Sequence, residues 1–333
     1  MDALIARGHE VVGIDSIDPR VHHAAPDYLN PAARYVFADV LDGPMLEREL
    51  RGADGISHQA AMVGYGAGLE DAPLFARAND VGTATLLRAA ARVGVRRLVL
   101  ASSMVVYGDG AYSCSVHGAQ RPGPRAAADL AARRFEPACP RCGARLASEL
   151  TCEDAPLEPR SIYAATKVHQ EHLSFVAMRE GGPLVTALRY HNVYGARMSR
   201  DTPYAGVASF FRSQIASGKA ARVFEDGGQR RDFVHVDRVA AANVAAIERS
   251  QPFVGPLNIG SGESHTILDL ARALAGSLGA GAPHVTGEYR VGDVRHIVAS
   301  SQRAEEELRL PPAIAFEAGV AAFAGAPLRE AAQ

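Results

Sequence analysis

The stretch Leu98-Val99-Leu100-Ala101-Ser102-Ser103 is an apolar run that ends in two serines. Four consecutive apolar residues are typical of a strand that is buried on both faces, as in a parallel sheet. A serine at the carboxyl end of such a strand lies at the edge where open α/β sheets bind their ligands. The stretch therefore predicts a parallel sheet with a ligand site that includes Ser103.

A second motif, Tyr163-Ala164-Ala165-Thr166-Lys167, has a Tyr and a Lys four residues apart. On a helix this spacing puts the two side chains on one face, where the ammonium group can lower the pKa of the phenol and make it a usable base. The pattern alone also fits a surface helix with an exposed Tyr and Lys. The serine strand that precedes it favours catalysis.

Strand patterns alternate with helix patterns along the chain. The predicted strands are residues 10–15, 34–38, 55–58, 97–101 and 184–188. The apolar stripe of one predicted helix, closed by Gly94, is Leu86, Leu87, Ala90 and Ala91. A later helix opens at Thr266, with its apolar face made of Ile267, Leu270, Leu274 and Leu278. This alternation predicts βαβ units and a doubly wound parallel sheet, an α/β fold.

Composition excludes several classes of protein. The 333 residues are 47% hydrophobic and 22% charged, with a net charge of -2, which are ordinary values for a globular chain of one large or two medium domains. This balance gives no basic patch for nucleic acid, and no apolar run reaches the roughly 18 residues of a membrane span. We expect a cytoplasmic protein without nucleic-acid or membrane partners.

A longer series of motifs resembles, in order, the extended short-chain dehydrogenase/reductase family, in particular its NAD-dependent sugar-nucleotide epimerases and dehydratases. The series is His58-Gln59-Ala60-Ala61, Asn79 in Asn-Asp-Val-Gly-Thr, the Ser103 strand, Tyr163 with Lys167, Arg189 to Gly195, Arg231 to Asp237, Asn258-Ile259-Gly260 and Gly292-Asp293-Val294-Arg295. The resemblance covers nearly the whole chain. It implies a Rossmann-like NAD-binding domain and a smaller C-terminal substrate domain. The implied NAD-binding domain is 1–190, with a Cys-rich insert at 109–155 and a returning segment at 233–260. The implied substrate domain is 191–232 with 261–333.

The resemblance implies that the cofactor is NAD. Asp15 ends a predicted strand, where a carboxylate accepts hydrogen bonds from the adenosine ribose and repels a 2′-phosphate; a turn or capping Asp is the alternative. Asp39 and Val40 resemble the family's adenine contact. The other implied cofactor residues are Ala60, Asn79, Ser102, Tyr163, Lys167 and Tyr190.

The family chemistry implied for this chain is inversion at C4 of a nucleotide-activated sugar. Ser103 would bind the sugar hydroxyl, Tyr163 would take its proton, and Lys167 would hold the nicotinamide ribose. Hydride would leave for NAD and return to the other face of a 4-keto sugar. The related 4,6-dehydratases carry two acids after the serine, where this chain has Met104 and Val105, which cannot transfer a proton.

Three further residues match family positions that hold the nucleotide diphosphate of the substrate: Asn192, Arg231 and Arg295. Arginine suits this role because its planar guanidinium donates two parallel hydrogen bonds to phosphate oxygens. A surface salt bridge is the alternative for any single arginine.

A long connection before the Tyr163 motif contains all four cysteines of the chain. Cys114 and His117 have two residues between them, as have Cys139 and Cys142, which is the spacing of a tetrahedral zinc site. Cys152 is a fifth candidate that could replace His117. With four protein ligands the zinc would be structural. The alternative is a set of reduced thiols in a loop.

The resemblance also raises a question about the amino terminus. Family members begin with a strand, a glycine-rich turn and a helix, whereas residues 2–8 resemble the end of that helix and its glycine cap. We therefore expect a start codon upstream, a gap between the strands at 10–15 and 55–58, and weak NAD binding by the chain as written, because the pyrophosphate lacks its helix N-terminus. Gly64-Tyr65-Gly66-Ala67-Gly68 follows the wrong strand to replace the missing turn.

Within the family, the Ser103 strand, the Cys-rich insert and the motif at 190–195 are most similar to the dTDP-L-rhamnose 4-epimerases, which interconvert dTDP-L-rhamnose and dTDP-6-deoxy-L-talose. Two alternatives stay open: a truncated, non-catalytic homologue and an NAD-dependent keto-sugar reductase. The resemblance further implies a homodimer, in which helices at about 71–92 and 158–181 pair across a two-fold axis.

Overall fold

The structure is a computed structural model that describes residues 1–20, 22, 26–64, 68–200 and 206–329. In chain order its strands are β1 (Val12–Asp15), β2 (Arg34–Phe37), β3 (Ile56–His58), β4 (Arg97–Ser103), β5 (Ala111–Cys114), β6 (Gly118–Gln120), β7 (Ala147–Glu149), β8 (Leu184–Tyr190), β9 (Asn192–Tyr194), β10 (Arg222–Val223), β11 (Arg230–Arg231), β12 (Phe233–His235), β13 (Gly255–Ile259), β14 (His265–Thr266), β15 (His284–Val285) and β16 (His296–Ile297).

Helices alternate with these strands over most of the chain. The α-helices are α1 (Asp2–Ile5), α2 (Gly43–Glu49), α3 (Ala72–Phe75), α4 (Gly82–Val93), α5 (Ala127–Ala131), α6 (Ile162–Arg179), α7 (Val207–Ala216), α8 (Val236–Glu248), α9 (Ile267–Ser277), α10 (Gln302–Leu308) and α11 (Phe316–Gly325). A π-helical segment, Ala76–Val81, joins α3 to α4, and a 3₁₀ turn, Met104–Tyr107, follows β4.

The central sheet has the strand order β13-β8-β4-β3, and all of its strands are parallel. All five predicted strands are confirmed, with ends that differ by no more than two residues. Apolar residues of β4 are fully buried because one cluster of helices covers each face of the sheet, α2 and α4 on one side and α8 and α10 on the other. The predicted α/β fold is thus confirmed.

One residue of the predicted apolar stripe, which lies on α4, is wrong. Ala91 is exposed, and Ala89 takes its place in the buried face beside Leu86 and Leu87. Gly94 does close the helix as predicted: it adopts the left-handed conformation, with φ 81°, and its amide donates to the carbonyl of Ala91.

Strands β1 and β2 form a separate parallel pair. Within the described residues, neither β1 nor β3 has a hydrogen-bonded strand on its second edge, so the expected gap between them is observed. Helix α1 ends in a turn at Gly8, which has φ +86° and donates to the carbonyl of Ile5, as predicted for a glycine cap. Residues 65–67 of the glycine stretch lie outside the described residues.

The C-terminal part has its own apolar core, in which α7, α9 and α11 pack around Phe211, Leu274 and Phe323. Helix α9 begins as predicted at Thr266, which forms a capping box with Asp269. The Cys-rich insert contains an antiparallel sheet, β6-β5-β7. Among the described residues, no helix is both long and apolar enough to cross a membrane.

Candidate active site

Two parallel strands and one helix bring the predicted catalytic residues together. Ser103 ends β4 beside Tyr190 at the end of β8, its register partner. Helix α6 begins after Ser161, whose hydroxyl accepts a hydrogen bond from the Ala164 amide at 3.1 Å, and this cap puts Tyr163 in the first turn. Ser103, Tyr163 and Tyr190 line one cavity of about 300 Å³.

The electrostatics of Tyr163 differ from the prediction. Burial raises the pKa of the Tyr163 phenol to about 12, against the effect of a hydrogen bond with Ser103. Lys167 lies one turn along α6, with its Nζ 5.9 Å from the centroid of the Tyr163 ring and 2.8 Å from the carbonyl oxygen of Ala101, to which it donates. The ammonium group is thus directed at the strand, and the predicted lowering of the phenol pKa is not present in this structure.

Burial also acts on Lys167 itself. The side chain is 3% exposed, and its desolvation lowers the pKa of the ammonium group to about 8, although the charge of Glu171 opposes the shift. Lys167 can therefore exchange a proton near neutral pH more readily than a surface lysine.

A buried ion pair under the cavity was not predicted from the sequence. Arg189 on β8 donates from Nε and Nη2 to the two carboxylate oxygens of Glu171 on α6, at 2.9 and 2.7 Å, and both side chains are at most 4% exposed. Ser102 also donates to Glu171, and Arg189 donates to Tyr107. Glu171 lies eight residues after Tyr163, on the same helix face, which was the available sequence signal.

Asn79 has a different place from the one predicted. It is fully buried in the π-helical segment, where its Oδ1 accepts from the Met62 amide at 2.7 Å and its Nδ2 donates to the Met62 carbonyl and to Thr166. Since these bonds occupy its amide group, Asn79 connects the chain after β3 to α6. The assignment of Asn79 as a cofactor ligand stays a prediction, and in this structure its side-chain amide is engaged by Met62 and Thr166.

The other predicted cofactor residues stand at strand ends. Asp15 and Asp39 are exposed after β1 and β2, and each accepts a hydrogen bond from the amide two residues later. Val40 is half-buried against the apolar cluster on the α4 side of the sheet, and Ala60 is exposed after β3. Tyr190 faces the cavity and accepts a hydrogen bond from Asn243 at 2.7 Å.

Of the three predicted diphosphate ligands, Asn192 lines the cavity of Tyr163. Its Oδ1 is buried and finds no hydrogen-bond partner among the described residues, although an orphaned buried acceptor is costly. Arg231 is half-buried, and its guanidinium donates to the carbonyl oxygens of Val294 and Arg295 at 2.6 and 3.0 Å.

Arg295 does not line this cavity. Its side chain is 1% exposed, and its guanidinium donates to the carboxylates of Glu136, Glu225 and Asp226 at distances of 2.6 to 3.1 Å. Three carboxylates accept from its donors in this structure, and the assignment of Arg295 as a diphosphate ligand stays a prediction. The sequence match could not reveal this because Glu136 lies in the insert.

The Cys-rich insert brings the four predicted metal ligands together. Cys114, His117, Cys139 and Cys142 have their ligand atoms within 4.8 Å of one another. The Cys114 and Cys142 sulfurs are 3.7 Å apart, and the His117 Nδ1 is 3.7 Å from Cys114 Sγ and 3.5 Å from Cys139 Sγ. Cys152 is exposed and lies outside this cluster.

Backbone groups also face the sulfurs. Amides of Val116 and His117 donate to Cys114, and together they lower the pKa of its thiol to about 6. Amides of Arg141 and Cys142 donate in the same way to Cys139. Backbone amides thus stabilise the thiolate form of both cysteines.

Known proteins share this architecture. The model of the NAD dependent epimerase/dehydratase family matches residues 1–127 and 139–260. The chain belongs to this family. The match is interrupted at 128–138, inside the insert. The protein is 34% identical over 327 residues to dTDP-L-rhamnose 4-epimerase of Burkholderia thailandensis, which covers 96% of this chain and 88% of that protein. It is 30% identical to UDP-glucose 4-epimerase of Mycolicibacterium smegmatis, with coverage of 96% and 91%.

Solved structures of the same family superpose closely. The UDP-glucose 4-epimerase of Thermotoga maritima, solved with UDP-glucose, has a TM-score of 0.78 at 26% identity. The UDP-glucose 4-epimerase of Thermus thermophilus, solved with NAD, has a TM-score of 0.75 at 27% identity. Each comparison covers 97% of this chain and 92% of the other.

Proposed function

We propose that this protein is an NAD-dependent epimerase that inverts C4 of a nucleotide-activated sugar. The observation that carries the proposal is the meeting of Ser103, Tyr163 and Asn192 in one cavity, with Lys167 on the next turn of α6. A serine hydroxyl, a phenol that can act as a base and an asparagine amide, whose Nδ2 can donate to phosphate, are the groups that such a substrate needs.

Each residue has a distinct role in the proposed reaction. Ser103 binds the C4 hydroxyl, and Tyr163 removes its proton and later returns one. Because burial raises the pKa of Tyr163 to about 12, the phenol needs nearby positive charge to act as a base near neutral pH. In the proposed complex with NAD, Lys167 would hold the nicotinamide ribose and would supply that charge by turning its ammonium group from the Ala101 carbonyl toward Tyr163. Hydride transfer at C4, out and back, is the chemistry that NAD supplies when bound.

NAD would be held by residues at the strand ends: Asp15, Asp39, Val40 and Ala60, together with Ser102, Tyr163, Lys167 and Tyr190. Asp15 is exposed at the end of β1, where its carboxylate is available to ribose hydroxyls. Asn192 and Arg231 are the proposed ligands of the substrate diphosphate. The segments 191–232 and 261–333 would form the substrate domain.

The proposed substrate is dTDP-L-rhamnose, converted to dTDP-6-deoxy-L-talose. The 34% identical relative carries this activity in its name. Met198, Val207 and Phe233 give the cavity an apolar wall, which suits the methyl group of a 6-deoxy sugar. Met104 and Val105 follow Ser103 and supply no acid for elimination.

Turnover by Tyr163→Phe tests the proposal. This variant keeps the ring but lacks the phenolic proton acceptor, so we expect turnover of dTDP-L-rhamnose to fall by roughly 10² to 10⁴-fold. Tyr289→Phe makes the same change at an exposed site and should keep full turnover. Near-normal activity in Tyr163→Phe would refute the catalytic assignment. Stoichiometric consumption of NADH by the wild type would favour the reductase alternative, and an inactive, NAD-loaded wild type would favour the non-catalytic one.

We also propose that Cys114, His117, Cys139 and Cys142 hold one structural zinc ion. Zn–S bonds of about 2.3 Å in a tetrahedron place sulfurs roughly 3.7 Å apart, and the Cys114–Cys142 distance is 3.7 Å. Metal analysis should find about one zinc per chain, and Cys139→Ser should lower both zinc content and melting temperature. Cys152→Ser is the matched control and should change neither. Metal-free wild-type protein of unaltered stability would overturn the assignment.

Homodimer formation is the last part of the proposal. Helices α4 and α6 pack on each other, and Val81 and Val176 are about half exposed on this pair. A second copy of the chain that adds the same two helices would bury these side chains in a four-helix bundle.

A further inference from the structure

We propose that the Cys-rich insert is a positioning device for the substrate diphosphate site, and that Glu136 carries the coupling. The proposal rests on the proposed function, because it assigns Arg231 to the substrate diphosphate. It also rests on the metal cluster, which holds the insert hairpin, residues 137–146, in shape.

The insert hairpin connects the metal cluster to Glu136. Cys139 begins the tight turn of the insert hairpin: its amide donates to Ala144 at 2.7 Å, and the Gly143 amide donates to the Cys139 carbonyl at 2.8 Å. The Leu146 amide donates to Pro137 at 3.0 Å, which closes the hairpin directly beside Glu136. A metal bound at Cys139 and Cys142 therefore restrains the chain that carries Glu136.

Glu136 in turn binds the segment 293–296. Glu136 accepts from Arg295 at 2.6 and 3.1 Å and from His296 Nε2 at 2.9 Å. Burial disfavours the carboxylate, but the hydrogen bonds from His296 and Arg295 outweigh it and lower the pKa of Glu136 to about 2. Glu136 is therefore a permanent negative charge at neutral pH, paired with a cation that is 1% exposed.

Two more contacts fasten the same segment to the insert. Tyr112, two residues before Cys114, accepts a hydrogen bond from the His296 amide at 3.1 Å. Arg125 donates to the carbonyl oxygen of Asp293 at 2.7 Å and pairs with Glu225 at 2.7 Å. Both side chains of the Arg125–Glu225 pair are buried, so this contact is shielded from solvent.

The segment 293–296 in turn contacts Arg231. Two of the carbonyl oxygens that accept from its guanidinium belong to Val294 and Arg295, within the segment held by the insert, and a third is that of its neighbour Arg230. Strands β11 and β16 pair so that Arg231 lies opposite Ile297. A shift of the segment 293–296 would therefore move the guanidinium of Arg231 directly, whereas the strand ends assigned to NAD lie elsewhere in the fold.

The test measures binding of thymidine diphosphate and uridine diphosphate by calorimetry to the metal-loaded protein. Glu136→Gln should weaken the affinity for the preferred diphosphate about tenfold, which equals about 1.4 kcal/mol, and should leave the affinity for NAD unchanged. Glu149→Gln makes the same change in the same insert, at a side chain that contacts Ser113 and not Arg295, and should bind like wild type. Chelation of the metal should also weaken the diphosphate affinity of the wild type about tenfold, and should weaken that of Glu136→Gln little further.

A second measurement keeps the test independent of the proposed function. Hydrogen exchange at residues 293–297 should become faster when the metal is removed and in Glu136→Gln, but not in Glu149→Gln. Unchanged exchange in this segment, or wild-type diphosphate affinity in a folded Glu136→Gln, would overturn the coupling. If wild-type protein binds neither diphosphate while exchange responds to the metal, the coupling stands and the proposed substrate site is wrong.

Discussion

The buried pair of Glu171 and Arg189 offers a stability test whose size follows from the structure. Glu171→Gln keeps the shape of the side chain but removes its charge, and leaves Arg189, whose side chain is 4% exposed, without a counter-ion. Burial alone would lower the pKa of Arg189, but the hydrogen bonds and charge of Glu171 outweigh it and raise that pKa. That raising effect is lost in the variant, but a guanidinium is so weak an acid, with an ordinary pKa above about 12, that Arg189 stays charged next to neutral acceptors only.

Loss of one partner from a buried ion pair costs about 3–5 kcal/mol. An unfolding entropy of about 2.1 cal/mol/K per residue gives roughly 0.7 kcal/mol/K for a chain of 333 residues. The melting temperature of Glu171→Gln should therefore fall by about 4–7 °C. Asp129→Asn breaks an exposed ion pair with Arg134. By the same calculation its melting temperature should fall by no more than about 1 °C.

Differential scanning calorimetry of four proteins decides the matter: wild type, Glu171→Gln, Asp129→Asn and the double variant Glu171→Leu with Arg189→Met. The double variant should regain at least half of the lost stability, because an apolar pair leaves no buried charge unpaired. If Glu171→Gln melts within 1 °C of wild type, or the double variant is less stable than Glu171→Gln, the reasoning about an unpaired charge is refuted.

Two more predictions concern pH and assembly. Because the pKa of Lys167 is about 8 in the folded protein and 10.5 in the unfolded chain, the unfolded chain binds this proton more tightly. The resulting penalty on stability is fully present below pH 8 and is relieved between pH 8 and 10.5, by up to about 1.4 kcal/mol per pH unit. Urea unfolding should show this rise in wild type but not in Lys167→Met; equal slopes would contradict it. Light scattering at micromolar concentration should give about twice the chain mass of 35.2 kDa, and a monomer mass would contradict the proposed dimer.

The sheet could be predicted from the sequence because its physics is local. Residues 98–101 are all apolar and residues 184–188 are apolar except Thr186, and a parallel sheet buries such runs on both faces. The meeting of Ser103 and Tyr163 was implied by the family resemblance, and the strand pattern placed only Ser103 at the edge of the sheet where ligands bind. The meeting of Cys114, His117, Cys139 and Cys142 could be predicted because tetrahedral coordination constrains the spacing of ligands along a chain.

What could not be predicted depends on contacts that are distant in sequence. Glu171 and Arg189 are ordinary surface residue types, and only the packing of α6 on β8 makes them a buried pair. Arg295 matched a family motif, but Glu136 comes from the insert, where the family match is interrupted, and redirects the guanidinium. Asn79 was assigned by motif alone, and the motif could not show that its amide bonds to Met62 and Thr166, which lie 17 and 87 residues away.

The lining of the cavity bears on the choice between an epimerase and a keto-sugar reductase. An epimerase must let a keto sugar turn so that the other face meets the hydride, whereas a reductase needs only one orientation. Ser103, Tyr163 and Asn192 bring the polar groups to the cavity, and Met198 and Phe233 bring apolar surface. Apolar contacts are not directional, so a sugar ring can rotate against them without breaking hydrogen bonds. In the proposed reaction this division of the lining would favour epimerisation, because the diphosphate would stay fixed while the ring turned.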